Sequence, residues 1–403
     1  MKKVLSAIAA AAVAVSALTA CSAQPSKKKS EAKGDGAGLH TVYFKNQSKS
    51  DGAVATFFNS DSGERADVEM TKVAEDGDSV TFSCEGDASA YNMMYFNYNN
   101  VTTNKVAFNR CVSGWYNSER GFLPYTEGEP IDFHYNYEHV SFTFMGYQKD
   151  IHIWTPDDYD AASSEKYGTI YLLDGEIESF LLPDGTPNPE SEYPAQQVRS
   201  MTAATGYRSI IVAVDTLGDM IGFEYGRFDE LVPDIGEPAD FDETTQKTGS
   251  KFADFLADTV VPYIQKNYNV YTEPRHVAVT GTSLGGLEAF YIALEHPDVF
   301  GNAGALSASF WVFDDATWRK FLSGKPFDET APFLYIYTGN AKDDTGDEVN
   351  DMVDRLRDMG YPKDRMAFHY NDKGAHAAIY WRSIFSEFLE ALAFREVAAL
   401  KKQ

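Results

Sequence analysis

The chain reads as an α/β protein: a doubly wound, mostly parallel sheet with helices on both faces, preceded by a small all-β sandwich. Three observations predict this. From Leu39 to about residue 128, short β-like runs are separated by Gly, Asn, Asp and Ser, with no helical period between them. Beyond residue 129, apolar strand-like runs alternate with amphipathic segments, the pattern of a sheet covered by crossover helices. One of those strands, His276–Thr280, enters Gly281-Thr282-Ser283-Leu284-Gly285 and then an amphipathic helix.

Composition narrows the class before any motif. The chain has 403 residues, 43% hydrophobic and 24% charged, which excludes a chain disordered throughout and a polytopic membrane protein. Against 35 basic residues stand 60 acidic ones, a net charge of −25 that repels nucleic acid, so no nucleic-acid partner is expected.

The N-terminus reads as an export signal. Lys2 and Lys3 precede an apolar run from Ala7 to Val15, which is too short to span a bilayer. Leu18-Thr19-Ala20-Cys21 then resembles the lipobox of bacterial lipoproteins. That resemblance implies removal of residues 1–20 and lipidation of Cys21, hence an exported protein anchored at the cell surface or the outer face of the membrane. An ordinary cleaved signal with a chance Cys is the alternative. Residues 21–38, mostly Ser, Lys, Gly and Ala, form a flexible tether. Its Lys27-Lys28-Lys29 run suits anionic headgroups, a solvated linker being the simpler reading. The expected organisation is signal 1–20, tether 21–38, sandwich 39–128 and α/β domain 129–403.

In the sandwich, His40–Phe44, Val54–Phe58, Ser79–Ser83, Met93–Tyr98 and Val106–Phe108 are the expected strands. Cys84 and Cys111 lie near them; export permits a disulfide, and two buried thiols are the alternative. Neither has a metal-ligand spacing, and no His cluster accompanies them, so no metal is expected. The α/β part opens with a hairpin, Val140–Phe144 and Asp150–Trp154. Thr169–Leu173, Ser209–Val214, His276–Thr280 and Phe333–Tyr337 suit strands buried on both faces of a parallel sheet. Phe252, Phe255, Leu256, Val260, Tyr263 and Ile264 recur at helical spacing, with Pro262 expected to kink or break that helix. The final helix is expected from about Trp381 to Leu400.

The turn around Ser283 is where chemistry is expected. A nucleophile must stand at the tip of a tight turn, and flanking glycines let strand and helix approach. Ser283 would lie at the N-terminus of the helix Leu284–Glu295, where N–H groups favour a developing oxyanion. A serine hydroxyl needs a base. His296 ends the same helix, and His369 falls in an alternating strand-like run. His376 lies in a loop just before the final helix, on the sheet edge that carries Ser283, and is the expected base. The acid is expected in the loop after Phe333–Tyr337: Asp343 first, Asp344 next, Asp347 third, solvated loop charges being the bland alternative. The expected oxyanion donors are the N–H of Leu284 and that of Gly175, in the loop after Thr169–Leu173.

These residues carry a resemblance. Tyr171-Leu172-Leu173-Asp174-Gly175, Gly281-Thr282-Ser283-Leu284-Gly285-Gly286, His296-Pro297-Asp298-Val299-Phe300-Gly301 and Gly374-Ala375-His376 with Trp381-Arg382 resemble the "Putative esterase" family. It groups enterochelin-type, feruloyl and acetylxylan esterases, S-formylglutathione hydrolases and mycolyltransferases. The resemblance covers about Val140 to Leu400 and implies an α/β-hydrolase fold, a Ser–acid–His triad and no cofactor. Members commonly show a Gly-Thr-Glu-Asp-like turn at the acid; here Gly339-Asn340-Ala341-Lys342-Asp343-Asp344 stands. Within Gly218–Pro238, Arg227 and Glu230 resemble a family turn.

Residues 40–125 resemble starch-binding modules of family 26 through Thr41-Val42-Tyr43-Phe44-Lys45-Asn46, Met70-Thr71-Lys72-Val73 and Met94-Tyr95-Phe96-Asn97. That resemblance implies sugar stacking on aromatic rings, with Tyr43 and Trp115 as candidates and a polysaccharide as partner. An inert spacer is the alternative. The reading is a cell-surface serine esterase acting on a small-molecule or oligosaccharide ester, an acylated carbohydrate first. A siderophore esterase or an acyltransferase shares its chemistry. A non-catalytic carbohydrate-binding lipoprotein is the alternative of another class.

Overall fold

The computed structural model describes residues 39–46, 50–77, 79–103, 105–108, 114–117, 121–124, 136–156, 158–176, 194–216, 226–239 and 246–400. Cys21, the tether, Cys111 and residues 218–225 of the Gly218–Pro238 loop lie outside the described residues.

The first part of the chain contributes β1 (Leu39–Asn46), β2 (Val54–Phe58), β3 (Arg65–Glu69), β4 (Thr71–Asp76), β5 (Ser79–Asp87), β6 (Met93–Tyr98), β7 (Val101–Thr102), β8 (Val106–Ala107), β9 (Gly114–Asn117) and β10 (Gly121–Pro124). They form two sheets, β10-β9-β1-β5-β4 and β3-β2-β6-β7, with β8 also paired to β6. Phe44 of the first sheet stacks on Phe96 of the second at 4.7 Å, and Val42, Phe57, Phe82 and Met94 are buried beside them. This is the expected sandwich. Strands β3 and β4 were not legible, because Arg65, Asp67, Glu69, Lys72 and Glu75 face solvent and mask the alternation. Cys84 on β5 carries a free thiol whose pKa is pushed up to about 12, by burial first and then by Glu85.

The second part builds one eight-stranded sheet from β11 (Asn136–Phe144), β12 (Tyr147–Thr155), β13 (Gly168–Leu173), β14 (Ser209–Val214), β15 (Val277–Thr282), β16 (Asn302–Leu306), β17 (Phe333–Thr338) and β18 (Met366–Tyr370). Their order is β11-β12-β14-β13-β15-β16-β17-β18. The hairpin pairs antiparallel, β12 meets β14 antiparallel, and all later pairs are parallel. Alternate residues of the buried strands feed opposite faces. Tyr171 and Leu173 pack under the helices Gly249–Phe255, Leu284–Glu295 and Gly346–Asp358. Ile170 and Leu172 pack under Pro194–Thr205 and the final helix, Ala378–Leu400. A doubly wound, mostly parallel α/β sheet is therefore present, as the alternation predicts.

Two elements differ from expectation. The helix containing Pro262 does not simply break: Gly249–Phe255 widens into a π-turn over Leu256–Val260 and resumes as Val261–Asn267. Proline lacks the N–H that would close the turn before it, and the widened turn absorbs that loss. Strand β16 reads Asn-Ala-Gly-Ala-Leu, too poor in branched residues to announce itself. Its smallness has a cause. It lies between β15 and β17, and a Cβ on Gly304 would meet Thr280 Oγ1 at 2.5 Å. All described residues fall in one compact unit, so the sandwich and the α/β part make direct contacts.

Candidate active site

Ser283 stands between β15 and the helix Leu284–Glu295 with φ 58° and ψ −120°, a conformation costly for a residue with a side chain. The turn is held by short contacts. Ser283 N–H donates to Leu306 O at 2.9 Å, and Ser309 N–H donates to Ser283 O at 3.1 Å. A Cβ at Gly281 would lie 2.6 Å from the Gly285 carbonyl carbon, so strand and helix approach this closely only because Gly281 has none. Leu284 is the first helical residue, and its N–H has no intrahelical acceptor. The Ser283 hydroxyl lies 3.4 Å from that of Ser309.

The His376 loop follows β18. His376 Nδ1 lies 2.8 Å from Asp344 Oδ1. Asp344, not Asp343, is the carboxylate on the imidazole. Asn340 causes this register: its side-chain oxygen accepts the N–H groups of Lys342 and Asp343, which turns Asp343 outward. The side chain of Asp343 is half exposed, and only its backbone carbonyl meets His376, accepting that residue's N–H at 2.8 Å. The side chain of Asp344 is fully buried. Asp347, the third candidate, lies in the first turn of the helix Gly346–Asp358.

Burial pushes the Asp344 carboxyl up, but donors from His376, Ser307, Gly339 and Thr345 outweigh it and hold the group below the usual carboxylate range. Ser307 is the residue that sequence reasoning missed. Its hydroxyl donates to Asp344 Oδ2 at 2.7 Å and accepts Trp381 Nε1–H at 2.9 Å, while its backbone N–H reaches Tyr337 O at 2.8 Å. It stands next to Leu306, whose carbonyl accepts the Ser283 N–H, and so ties Asp344 to the Ser283 turn. Its φ of 46° is the same kind of outlier as that of Ser283. Trp381 also sets its ring edge-on to His376 at 4.9 Å. The two loops are stitched as well: Asn340 N–H and its side-chain NH2 donate to Gly374 O at 3.1 and 2.6 Å.

The Gly175 expectation is corrected. Its N–H already donates to Val214 O at 2.9 Å, continuing the sheet. Its glycine identity serves packing, since a Cβ there would lie 2.5 Å from Val214 N. The next N–H along the loop is that of Glu176. Asp174, at φ 55°, receives a bidentate ion pair from Arg227, Nε at 2.6 Å and Nη2 at 2.7 Å, plus Thr216 Oγ1 at 2.8 Å. Arg227 thus braces this loop. Burial and neighbouring Asp174 raise the Glu176 carboxyl, partly offset by hydrogen bonds from Thr216 and from its own N–H. Glu230 is buried in an ion pair with Lys149, behind the loop, and burial pushes its pKa up to about 7 despite that ammonium.

The other histidines are elsewhere. His296 caps the C-terminus of the helix Leu284–Glu295, facing Asp254. His369 lies on β18 between Glu387 at 2.9 Å and Asp61 at 3.0 Å. Burial would lower its pKa, but the two carboxylates outweigh it and raise it to about 9. The unfolded value is about 6.5. A raised folded pKa stabilises fully below about 6.5 and loses its effect as pH rises through about 9. The Tm difference between the native chain and His369→Gln should therefore shrink from pH 7 to pH 10. A difference constant over that range would show a neutral His369. Tyr43 is half-buried on β1, and the side chain of Trp115, on the neighbouring β9, lies outside the described residues. Among the described residues no group of three or more His, Cys, Asp or Glu could hold a metal. No described helix is long and apolar enough to cross a membrane.

Comparison with known proteins adds to this geometry. The family described as "Putative esterase" matches residues 143–392. The chain is 26% identical over 183 residues to uncharacterized protein YbbA of Bacillus subtilis, covering 43% of this chain and 72% of that protein. It is 24% identical over 145 residues, 36% of this chain, to an endo-1,4-beta-xylanase/feruloyl esterase of Xylanibacter ruminicola, of which the match spans 18%. Among solved structures, siderophore hydrolase EstA from Aspergillus nidulans aligns with a TM-score of 0.50 at 16% identity. That alignment covers 67% of this chain and 98% of EstA, a likeness of fold.

Proposed function

The chain belongs to the "Putative esterase" family and is a carboxylic ester hydrolase, and from that premise we propose a serine mechanism run by Ser283, His376 and Asp344. The observation that carries the reading is the buried, multiply hydrogen-bonded Asp344 against His376 Nδ1, tied through Ser307 to the turn that presents Ser283. Asp344 keeps the proton on Nδ1 and leaves Nε2 free to accept one. Ser283 Oγ attacks the ester carbonyl carbon while Nε2 takes the hydroxyl proton. The tetrahedral oxyanion is met by the N–H of Leu284. The second donor is the N–H of Glu176, which a substrate oxygen would draw from that residue's own carboxylate. His376 then returns the proton to the leaving alcohol, giving an acyl-enzyme. Water, deprotonated by His376, releases the acid.

The substrate class we favour is an acylated carbohydrate. The similarity to a protein named as a feruloyl esterase supports it, as does a β-sandwich resembling a starch-binding module. The test is a panel of p-nitrophenyl acetate, methyl ferulate, acetylated xylan and a catecholate siderophore, assayed with the chain from Ser22 onward. Preference for ferulate or acetylxylan is expected; preference for the siderophore would move the assignment to the siderophore esterases. The lipobox-like segment supports anchoring through Cys21 at the cell surface or the outer face of the membrane. Palmitate labelling of the full chain should disappear in Cys21→Ala, and labelling that persists would contradict the anchor.

A further inference from the structure

The His376 loop is strung between β18 and the final helix, and one side chain joins both of its ends. His369 on β18 places Nδ1 2.9 Å from Glu387 of the final helix. Its other nitrogen, Nε2, lies 3.0 Å from Asp61, which belongs to the N-terminal sandwich. A ring with carboxylates at both nitrogens donates to both only as the imidazolium. Beside it, Lys373 of the His376 loop donates its ammonium to the backbone carbonyl of Ser62. The sandwich therefore holds the end of β18 and the loop that follows it through two adjacent residues of one turn, Asp61 and Ser62.

That turn, between β2 and β3, is rigid by construction. Asn59 N–H donates to Glu64 O at 2.8 Å, and Gly63 N–H returns to Asn59 O at 2.9 Å. The Asn59 side-chain oxygen accepts the N–H groups of Asp61 and Ser62 at 2.8 and 2.9 Å. Its amide donates to Ala90 O at 3.0 Å. Ser60 and Asn92 exchange two further bonds of 2.9 Å. Such a closed turn presents Asp61 and the Ser62 carbonyl without further ordering.

We propose that this turn of the N-terminal sandwich positions His376, with Asp61 acting through His369 as the positioning residue. The sandwich is then part of the hydrolase unit as well as a candidate sugar-binding module. The proposal rests on the serine mechanism above. From the elements packed against it, His369 faces Asp61 of the turn, Glu387 of the final helix and the ring of Tyr337 of β17, edge-on at 5.5 Å. Tyr335 donates its hydroxyl to Glu387 at 3.1 Å.

The test uses the chain from Ser22 onward with p-nitrophenyl acetate. Asp61→Asn keeps the side-chain shape and removes the charge. Its kcat should fall on the order of 10- to 100-fold with KM changed less than about twofold, the signature of a displaced base. The alkaline limb of kcat should move to lower pH, because His369 keeps only Glu387. Lys373→Met should lower kcat in the same sense, about 3- to 10-fold. Arg65→Ala, which removes an exposed ion pair to Asp67 on the same sandwich, should change neither quantity. Circular dichroism verifies folding, and Lys373→Met decides the matter if Asp61→Asn does not fold. Native kcat and pH profile in folded Asp61→Asn and Lys373→Met would overturn the proposal. Turnover unchanged in Ser283→Ala would instead overturn the serine mechanism, so the two failures are told apart.

Discussion

Ser283→Ala is expected to lower kcat on any ester the chain hydrolyses by about 10⁴-fold or more, with the fold intact. Among the described residues the Ser283 hydroxyl contacts that of Ser309 at a long 3.4 Å, so its loss removes one weak hydrogen bond and no packing. The strained backbone at φ 58° is held by Leu306 and Ser309 from outside the residue, and alanine keeps the same Cβ. The loss therefore falls on chemistry rather than stability. Progress curves of the native chain and the variant, matched by circular dichroism, measure it. The neighbouring hydroxyl makes a sharp control: Ser309→Ala should retain most activity, and the reverse pattern would place the nucleophile on Ser309.

Asp344→Asn is expected to cost nearly as much, on the order of 10⁴-fold in kcat, whereas Asp343→Asn should stay within about twofold of native. An amide at residue 344 can point its NH2 at Nδ1 and so move the imidazole proton to Nε2, where it blocks acceptance from Ser283. The other partners of Asp344, Ser307, Thr345 and the N–H of Gly339, are donors too and would meet a poorer acceptor. Because the Asp344 carboxyl is held below its usual range, its stabilising effect is present above about pH 4 and is lost as pH falls below it. Asp344→Asn should thus be the less acid-sensitive chain at equal reference stability, by Tm measured from pH 6 to pH 3. Equal kcat losses in the two Asp variants would mean that the acid's register is not the one the hydrogen bonds give.

The elements that bury a continuous apolar run were legible: Thr169–Leu173, Ser209–Val214 and Phe333–Tyr337 are all strands, and the turn at Ser283 is where the glycines put it. What escaped depends on side-chain geometry that a one-dimensional pattern does not carry. That an aspartate of the Asn340–Asp344 loop would face His376 was legible but which one was not, since one Asx turn at Asn340 decides which of two adjacent carboxylates faces inward. Gly175 matches the donor position by motif, yet the sheet takes its N–H. Ser307 follows a strand of small residues that was itself unread, and only the Ser-Ala-Ser sequence after it could have hinted at a polar link. The Asp61–His369 contact joins residues 308 positions apart, beyond any local periodicity.

In the proposed mechanism Ser283 forms the acyl-enzyme with His376 as its base. Its most direct test is treatment with a fluorophosphonate, followed by peptide mapping in a mass spectrometer. One adduct is predicted, on the peptide carrying Ser283, formed in step with loss of esterase activity and abolished in His376→Ala. An adduct on another residue, or full inactivation with Ser283 unmodified, would contradict the account.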